Sequence, residues 1–227
     1  MALTGAVLYM LEWGAIIGSG LVGVGMSGGE TGGSLQQLLA GYSGTETGMA
    51  LIAGWMAIVL TGRALLIVGL RAELVDSGRG HPLMEFAVVA MGISVALEVA
   101  GTAMYAGAAQ LAAESAPVAV LAVDRAGTAL FVTTFGAAGL SILCTAWCMS
   151  CSGLFPKVLN VFGYIGGTGM ILAQFLTAPS LLTWSIVANF AVLFFWAWMI
   201  WAGILLWRHA KIHLVAPQAP ETAEPAL

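Results

Sequence analysis

The sequence predicts an all-α integral membrane protein, a bundle of six transmembrane helices. The 227-residue chain is 60% hydrophobic, and its mean hydropathy is +0.97. Only 8% of its residues are charged, whereas soluble domains carry about 25%. So few charges cannot cover a water-exposed surface. Six apolar segments are also long enough to cross a bilayer, which requires about 20 residues each.

The apolar segments follow one another with short polar connections between them. The predicted spans are residues 3–26, 48–71, 83–112, 127–152, 156–178 and 181–207. An earlier start of the fourth span near Val118, with a bend at residues 124–127, is an alternative. Together these spans form one transmembrane domain over residues 1–214, and the Pro-, Ala- and Glu-rich tail 215–227 is predicted to be disordered.

The connection after the first span contains the segment SLQQLLAGY, residues 34–42. It is too short to span a membrane, and we expect it to lie flat at the interface. The N-terminus has no basic region followed by a small-residue cleavage site, so no cleaved signal peptide is expected.

Lysine and arginine fall mainly on alternate connections, which predicts the orientation. Both termini are then cytoplasmic, as an even number of spans requires, and the expected location is the bacterial cytoplasmic (inner) membrane. The basic residues on the predicted cytoplasmic side are Arg71, Arg79, Lys157, Arg208 and Lys211, and Arg125 lies on the other side.

The formal net charge is −4, and no basic patch points to nucleic acid. The expected partners are membrane lipids and either a larger membrane complex or a second copy of the chain.

The first span contains GSGLVG, residues 18–23, which matches the G-x-G-x-x-G dinucleotide fingerprint. That fingerprint requires a strand, a turn and a helix in a water-facing unit. A parallel sheet cannot form in lipid, so the glycines predict close helix packing instead. Because small residues occupy two sides of this helix, the first span is expected to be central in the bundle.

Three ionisable residues lie well inside the predicted spans: Glu12, Arg63 and Glu98. A charge facing lipid at the bilayer centre costs about 2.5–3.5 kcal/mol or more, so each must face protein or water. Arg63 lies about 12 Å along its helix from Arg71, and Glu12 about 13 Å from the same membrane side. The matching depths predict a structural ion pair between Glu12 and Arg63.

Glu98 lies deeper, about 24 Å along its helix from Pro82. Its helix face is polar, and polar residues of the last two spans lie at comparable depth. One interpretation is that these polar residues form hydrogen bonds between helices. The alternative is that they line an outward-opening pocket that binds a small molecule or passes a proton. The predicted pocket comprises Ser94, Glu98, Thr102, Tyr105, Gln174 and Asn189.

Three cysteines, Cys144, Cys148 and Cys151, share one stripe of the fourth span. The outer two lie about 10.5 Å apart along the axis, whereas two sulfurs on one zinc can be no more than about 4.6 Å apart. They are therefore predicted to be packing residues. Cys144 and Cys148 with an outside histidine remain a metal-site alternative.

Several membrane cofactor chemistries lack the residues that they need. The histidines His81, His209 and His213 lie outside the spans, which argues against a bis-histidine haem. Lys157 and Lys211 lie at the membrane edge, which argues against a retinal Schiff base. There is no Glu-x-x-His pair for a carboxylate di-iron site.

Two segments, DRAGTALFVTTFGAAGLSIL from Asp124 and SGLFPKVLNVFGYIGGTGMIL from Ser152, carry a resemblance to known proteins. They resemble the second half of an uncharacterised family of bacterial six-span integral membrane proteins, known only as a domain of unknown function. In that family an SGLFP turn likewise joins two spans. The resemblance implies the fold and transfers no activity and no catalytic residues.

No catalytic motif is recognisable, so the chain is not expected to be an enzyme of a common membrane class. The leading hypothesis is an accessory or scaffold subunit of a membrane complex, or a small-molecule-binding bundle. The alternative is a small proton-coupled transporter that uses Glu98 and the Glu12/Arg63 pair. A third hypothesis is a lipid- or quinone-handling membrane enzyme.

Overall fold

The structure is a computed structural model, and it describes residues 2–18, 34–175 and 185–215. These residues are helical apart from short turns, and they contain no strand, which confirms the all-α prediction for the described part of the chain. The helices are α1 (Ala2–Gly18), α2 (Leu35–Tyr42), α3 (Glu46–Val59), α4 (Thr61–Asp76), α5 (Pro82–Ala113), α6 (Pro117–Ser152), α7 (Lys157–Phe175) and α8 (Ser185–Val215).

Local sequence signals set several of the helix ends. Ser34 and Gln37 form a reciprocal capping box at the start of α2. Proline occupies the first position of both α5 and α6, where its missing N–H removes no helical bond. α6 ends at Gly153 with φ 67°, a left-handed conformation that glycine adopts without strain.

Five helical segments of the described chain are long and apolar enough to cross a membrane. A sixth span is not confirmed: the apolar stretch Leu3–Glu12 of α1 is shorter than a span, and the predicted first span runs on into residues outside the described ones. The tail 216–227 also lies outside them. The five segments are Glu46–Asp76, Leu83–Ala113, Pro117–Ser152, Lys157–Phe175 and Val192–His209.

Two predicted spans differ from the helices found. The second is two helices, α3 and α4, with a break at Leu60, and the hydroxyl of Thr61 donates to the Ile58 carbonyl at the break (2.6 Å). The fourth begins at Pro117, as the alternative placed it, and continues through residues 124–127 as one helix. The break matters because it places Arg63 in the first turn of α4.

Helices α5 to α8 pack in chain order, each against the next, and α4 packs against α1, α5 and α8. Ion pairs and hydrogen bonds join the helices at one end of the bundle, where Arg71 contacts Glu85 and His209 contacts Glu73. We call this the basic end, and the opposite end, where α2 packs against α5 and α6, the α2 end.

The central helix of the described bundle is α4 rather than α1. Its residues Leu66, Leu70 and Leu74 have no exposed surface. By contrast, α1 presents Val7 and Leu11 to the exterior. The predicted central position of the first span rested on GSGLVG, of which all but Gly18 lies outside the described residues.

A buried charged cluster as the candidate functional site

Arg63 lies at the centre of a buried cluster formed by α1, α4 and α5. Its guanidinium donates a hydrogen bond to the Glu98 carboxylate, and the two side chains form an ion pair. The guanidinium also stacks over the Tyr9 ring, 5.1 Å from the ring centroid, a cation–π contact. Arg63 is 2% exposed and Glu98 4%. The pair is therefore removed from the surface of the bundle.

The geometry of two antiparallel helices brings Arg63 and Glu98 together. From the Arg71–Glu85 contact, Arg63 lies about 12 Å back along α4, and Glu98 about 20 Å forward along α5. Side chains tilt toward the N-terminus of their own helix. Arg63 therefore leans toward the α2 end while Glu98 leans toward the basic end, and the two side chains span the difference.

The predicted ion pair between Glu12 and Arg63 is thus replaced by one between Glu98 and Arg63. The depth estimate assumed that α1 starts level with the end of α4. In the structure Gly5 already lies opposite Gly62: a methyl group on Gly5 would lie 2.5 Å from the Gly62 carbonyl oxygen. Glu12 is seven residues further on, about 10 Å beyond that level.

Glu12 nevertheless belongs to the cluster. It is 3% exposed, and it interacts electrostatically with both Arg63 and Glu98. Its Oε2 atom, the Nε atom of Arg63 and the Oγ atom of Ser94 are buried without a hydrogen-bond partner. A second buried acid therefore accompanies the Arg63–Glu98 pair, and buried polar atoms on three helices have no hydrogen-bond partner among the described residues.

The charge balance of the cluster depends on its two acids and its one guanidinium group. One carboxylate neutralises the guanidinium, and a second ionised carboxylate would leave a net negative charge in a buried site. A proton on the second carboxyl group removes that charge and supplies a donor for an unsatisfied acceptor. The cluster therefore contains one acid more than its guanidinium can neutralise.

The residues of the predicted polar pocket do not line one common site in the described structure. Ser94 and Glu98 lie one helical turn apart on α5, and both are buried. Thr102 donates to the Val99 carbonyl of its own helix (2.9 Å). Gln174 lies against Gly136 at the α6–α7 contact. Asn189 is on α8, and its side chain lies outside the described part of the chain.

Tyr105 belongs to a second polar group, near the α2 end. Its hydroxyl donates to the Thr128 hydroxyl (3.3 Å), which donates to the Asp124 carbonyl (3.0 Å). Asp124 is fully buried, and its Oδ1 accepts a hydrogen bond of 2.7 Å from Tyr42 at the end of α2. Burial and this hydrogen bond raise the pKa of Tyr42 above its usual value, so its hydroxyl stays a donor.

Sequence reasoning did not identify Tyr42. The available signals were a tyrosine that ends a short capped amphipathic segment and an aspartate within the earlier start of the fourth span. Neither one specifies the other, because 82 residues separate them in sequence.

The buried face of α5 changes character along its length. Toward the basic end it carries Met84, Ala87 and Met91, all of them buried. Toward the α2 end the same face carries Ser94, Glu98, Thr102 and Tyr105. The charged cluster thus lies where a polar stretch begins, and that stretch ends at Tyr105, beyond which Ala106, Ala108 and Ala109 are buried.

The cysteines lie apart from both polar groups. Cys148 is buried, Cys144 is partly buried and Cys151 is exposed, and all three are free. Within the described ranges, no group of three His, Cys, Asp or Glu residues could hold a metal ion. His81 instead caps α5, since its Nδ1 accepts from the Leu83 N–H (3.1 Å).

Comparison with known proteins adds no relative: no family model matches the chain, and no curated protein or solved structure matches it either. The resemblance of the second half to a six-span family therefore stays a prediction.

Proposed function

We propose that the chain is a six-span protein of the bacterial cytoplasmic membrane that couples the movement of a small solute to that of protons. The observation that carries the proposal is the charged cluster, in which Arg63 pairs with Glu98 and a second buried acid, Glu12, interacts electrostatically with both. Ionisable residues inside a membrane domain are costly, and they commonly mark ion or proton pathways.

The charge count favours a proton-coupled role over a purely structural one. A structural ion pair needs one acid, and Glu98 already fills that place. Glu12 is a second buried acid with an unsatisfied oxygen. Its presence is explained if a proton binds and leaves, because a residue that serves only for packing would be less costly as an apolar side chain.

The distribution of basic residues supports the proposed topology. Arg71 and Arg208 lie near the contacts Arg71–Glu85 and Glu73–His209 at the basic end. The positive-inside rule assigns that end to the cytoplasm. With residues 3–26 as the first span, as the sequence predicts, both termini lie on the cytoplasmic side.

Proton flux into vesicles tests the proposal. The full chain is reconstituted in liposomes that contain a trapped pH indicator, and a pH gradient is imposed. We expect Glu12→Gln and Glu98→Gln each to reduce the protein-dependent flux at least tenfold, because each removes a protonatable group from the cluster. A tenfold loss corresponds to about 1.4 kcal/mol.

The matched control is Glu85→Gln, because Glu85 is also a glutamate of α5 paired with an arginine of α4 but is exposed. We expect this variant to retain the wild-type flux. Equal flux in wild-type and cluster variants, or no flux above empty liposomes, would refute proton coupling.

A second candidate function is an accessory or scaffold subunit. An open apolar groove of about 480 Å³ between α7 and α8 favours it, because such a surface can receive a partner helix. The groove is lined by Tyr164, Ile165, Thr168, Gly169, Leu172, Phe190 and Phe194. Stoichiometric co-purification with one larger complex, lost on Gly169→Trp, together with no proton flux, would favour this function.

A further inference from the structure

Among the described residues, Asp124 is the most deeply buried acid outside the charged cluster, and it lies two turns into α6. No part of the residue is exposed. Its Oδ1 accepts the Tyr42 hydroxyl hydrogen bond, whereas no described residue donates a hydrogen bond to Oδ2. A buried carboxylate with one neutral donor is poorly satisfied, because an ionised carboxylate has about four acceptor sites.

The charged and titratable groups around Asp124 come from several helices. Tyr42 faces it from α2, and Tyr105 of α5 is joined to it through Thr128. On α6 itself, the exposed Arg125 acts on it electrostatically and favours the ionised form.

On the other helices packed against α6, the charged residues lie at different levels. Arg63 of α4 belongs to the cluster, and Lys157 begins α7 at the opposite end. Tyr42 and Arg125 are thus the titratable or charged groups that act directly on Asp124.

We propose that Asp124 is a second proton-binding site, which receives a proton from water at the α2 end. The proton binds Oδ2 and converts the carboxylate to the neutral acid. Oδ1 becomes the carbonyl oxygen of that acid and keeps the hydrogen bond from Tyr42. Water is left as hydroxide or, if the donor is hydronium, as neutral water, so no other reactant is required.

The position of the site gives it a role relative to the charged cluster. Tyr105, Thr102 and Glu98 follow one another on the same face of α5, at steps of about 4.5 and 6 Å along the axis. Asp124 of α6 lies beside the Tyr105 end of that stretch, to which its backbone carbonyl is joined through Thr128. Its role as the first binding site of a proton bound for Glu98 rests on the proposed transport function.

Infrared difference spectroscopy of the reconstituted full chain tests the site directly. We expect a carbonyl-stretch band of a protonated carboxylic acid to appear as the pH is lowered. Asp124→Asn should remove that band, whereas Glu98→Gln should leave it in place. Tyr42→Phe should keep the band and shift it to higher frequency, because a carbonyl group that accepts no hydrogen bond has a stiffer C=O bond.

Each outcome decides the matter. Spectra of Asp124→Asn that equal those of the wild type over the whole pH range would overturn the proposal. If Asp124→Asn does not fold, an unshifted band in Tyr42→Phe overturns it. A band that depends on Asp124 in a protein without proton flux would support the site and refute transport. Flux that survives Asp124→Asn would separate the site from the transport route.

Discussion

Two arginine–glutamate pairs join α4 to α5, and their surroundings differ. Arg63 and Glu98 are buried, whereas the side chains of Arg71 and Glu85 are 38% and 63% exposed. An exposed pair contributes about 0–1 kcal/mol, because water screens it. Removing one partner of a buried pair costs about 3–5 kcal/mol, because the other charge is left without compensation. Loss of the buried Arg63–Glu98 pair should therefore cost more stability than loss of the exposed Arg71–Glu85 pair.

Arg63→Leu should lower the free energy of unfolding by about 3–5 kcal/mol, since it leaves two buried carboxyl groups without a cation. Arg71→Leu on the same helix is the matched control and should change it by less than about 1 kcal/mol. Denaturant titration of both variants in one detergent measures the difference.

The double variant Arg63→Leu/Glu98→Gln should recover part of that loss, and more of it than Arg63→Leu/Glu12→Gln, because Glu98 holds the direct hydrogen bond. If Arg63→Leu is tolerated as well as Arg71→Leu, the cluster does not have the assigned energetic role.

The three ionisable residues of the cluster were predictable from the sequence, because charges within apolar spans stand out. Their pairing was not, because it depends on how far α1 is shifted along α4. That shift follows from the contact of Gly5 with Gly62, and no local pattern encodes which glycines meet. Tyr42 escaped prediction for the same reason, since its partner is distant in sequence.

Close glycine contacts set the helix crossings. At the α1–α4 crossing Gly5 and Gly62 meet backbone to backbone. At the α6–α7 crossing a methyl group on Gly139 would lie 2.6 Å from the Gly167 carbonyl oxygen. Such contacts allow helices to approach closely in lipid, where the hydrophobic effect does not drive them together. The crossings therefore position Tyr9 against Arg63.

Gly5→Ala should destabilise the protein by about 1–3 kcal/mol, because the added methyl group forces α1 away from α4. Gly54→Ala on α3 is the control: nothing lies within 4 Å of the added methyl group. It should be neutral or stabilising by up to about 1 kcal/mol. Thermal unfolding followed by circular dichroism compares the two. Equal melting temperatures would mean that the α1–α4 contact is not tight.

At the level of elements, apolar length was a reliable guide. Five spans and the short helix α2 lie where the sequence placed them. The fourth span begins ten residues earlier than predicted, and the helix of the last one, α8, continues eight residues further. The break at Leu60 was not predicted, because Val59 and Leu60 continue an apolar run that contains no proline. Leu60 itself keeps helical dihedral angles, with φ −65° and ψ −25°, and its N–H still donates to the Met56 carbonyl.

The whole molecule is polarised between its two ends. The basic end carries the Arg71–Glu85 and Glu73–His209 contacts, and apolar side chains fill the α5 face between it and the cluster. The α2 end carries the Tyr42–Asp124 bond and the polar face. Along the buried face of α5, the polar side chains therefore run from Ser94 to Tyr105, and buried alanines follow between Tyr105 and the α2 end.

This polarity yields a prediction about membrane sidedness. Ser43 and Ser77 are both exposed, and they flank the span Glu46–Asp76 at opposite ends. In a variant without native cysteines, Ser43→Cys should react with a membrane-impermeant thiol reagent in intact cells, because the proposed topology places the α2 end outside. Ser77→Cys should react only after the cells are permeabilised, because the positive-inside rule places the basic end in the cytoplasm. The reverse pattern would invert the orientation and the direction of proton access, and labelling of both in intact cells would show that this segment does not cross the membrane.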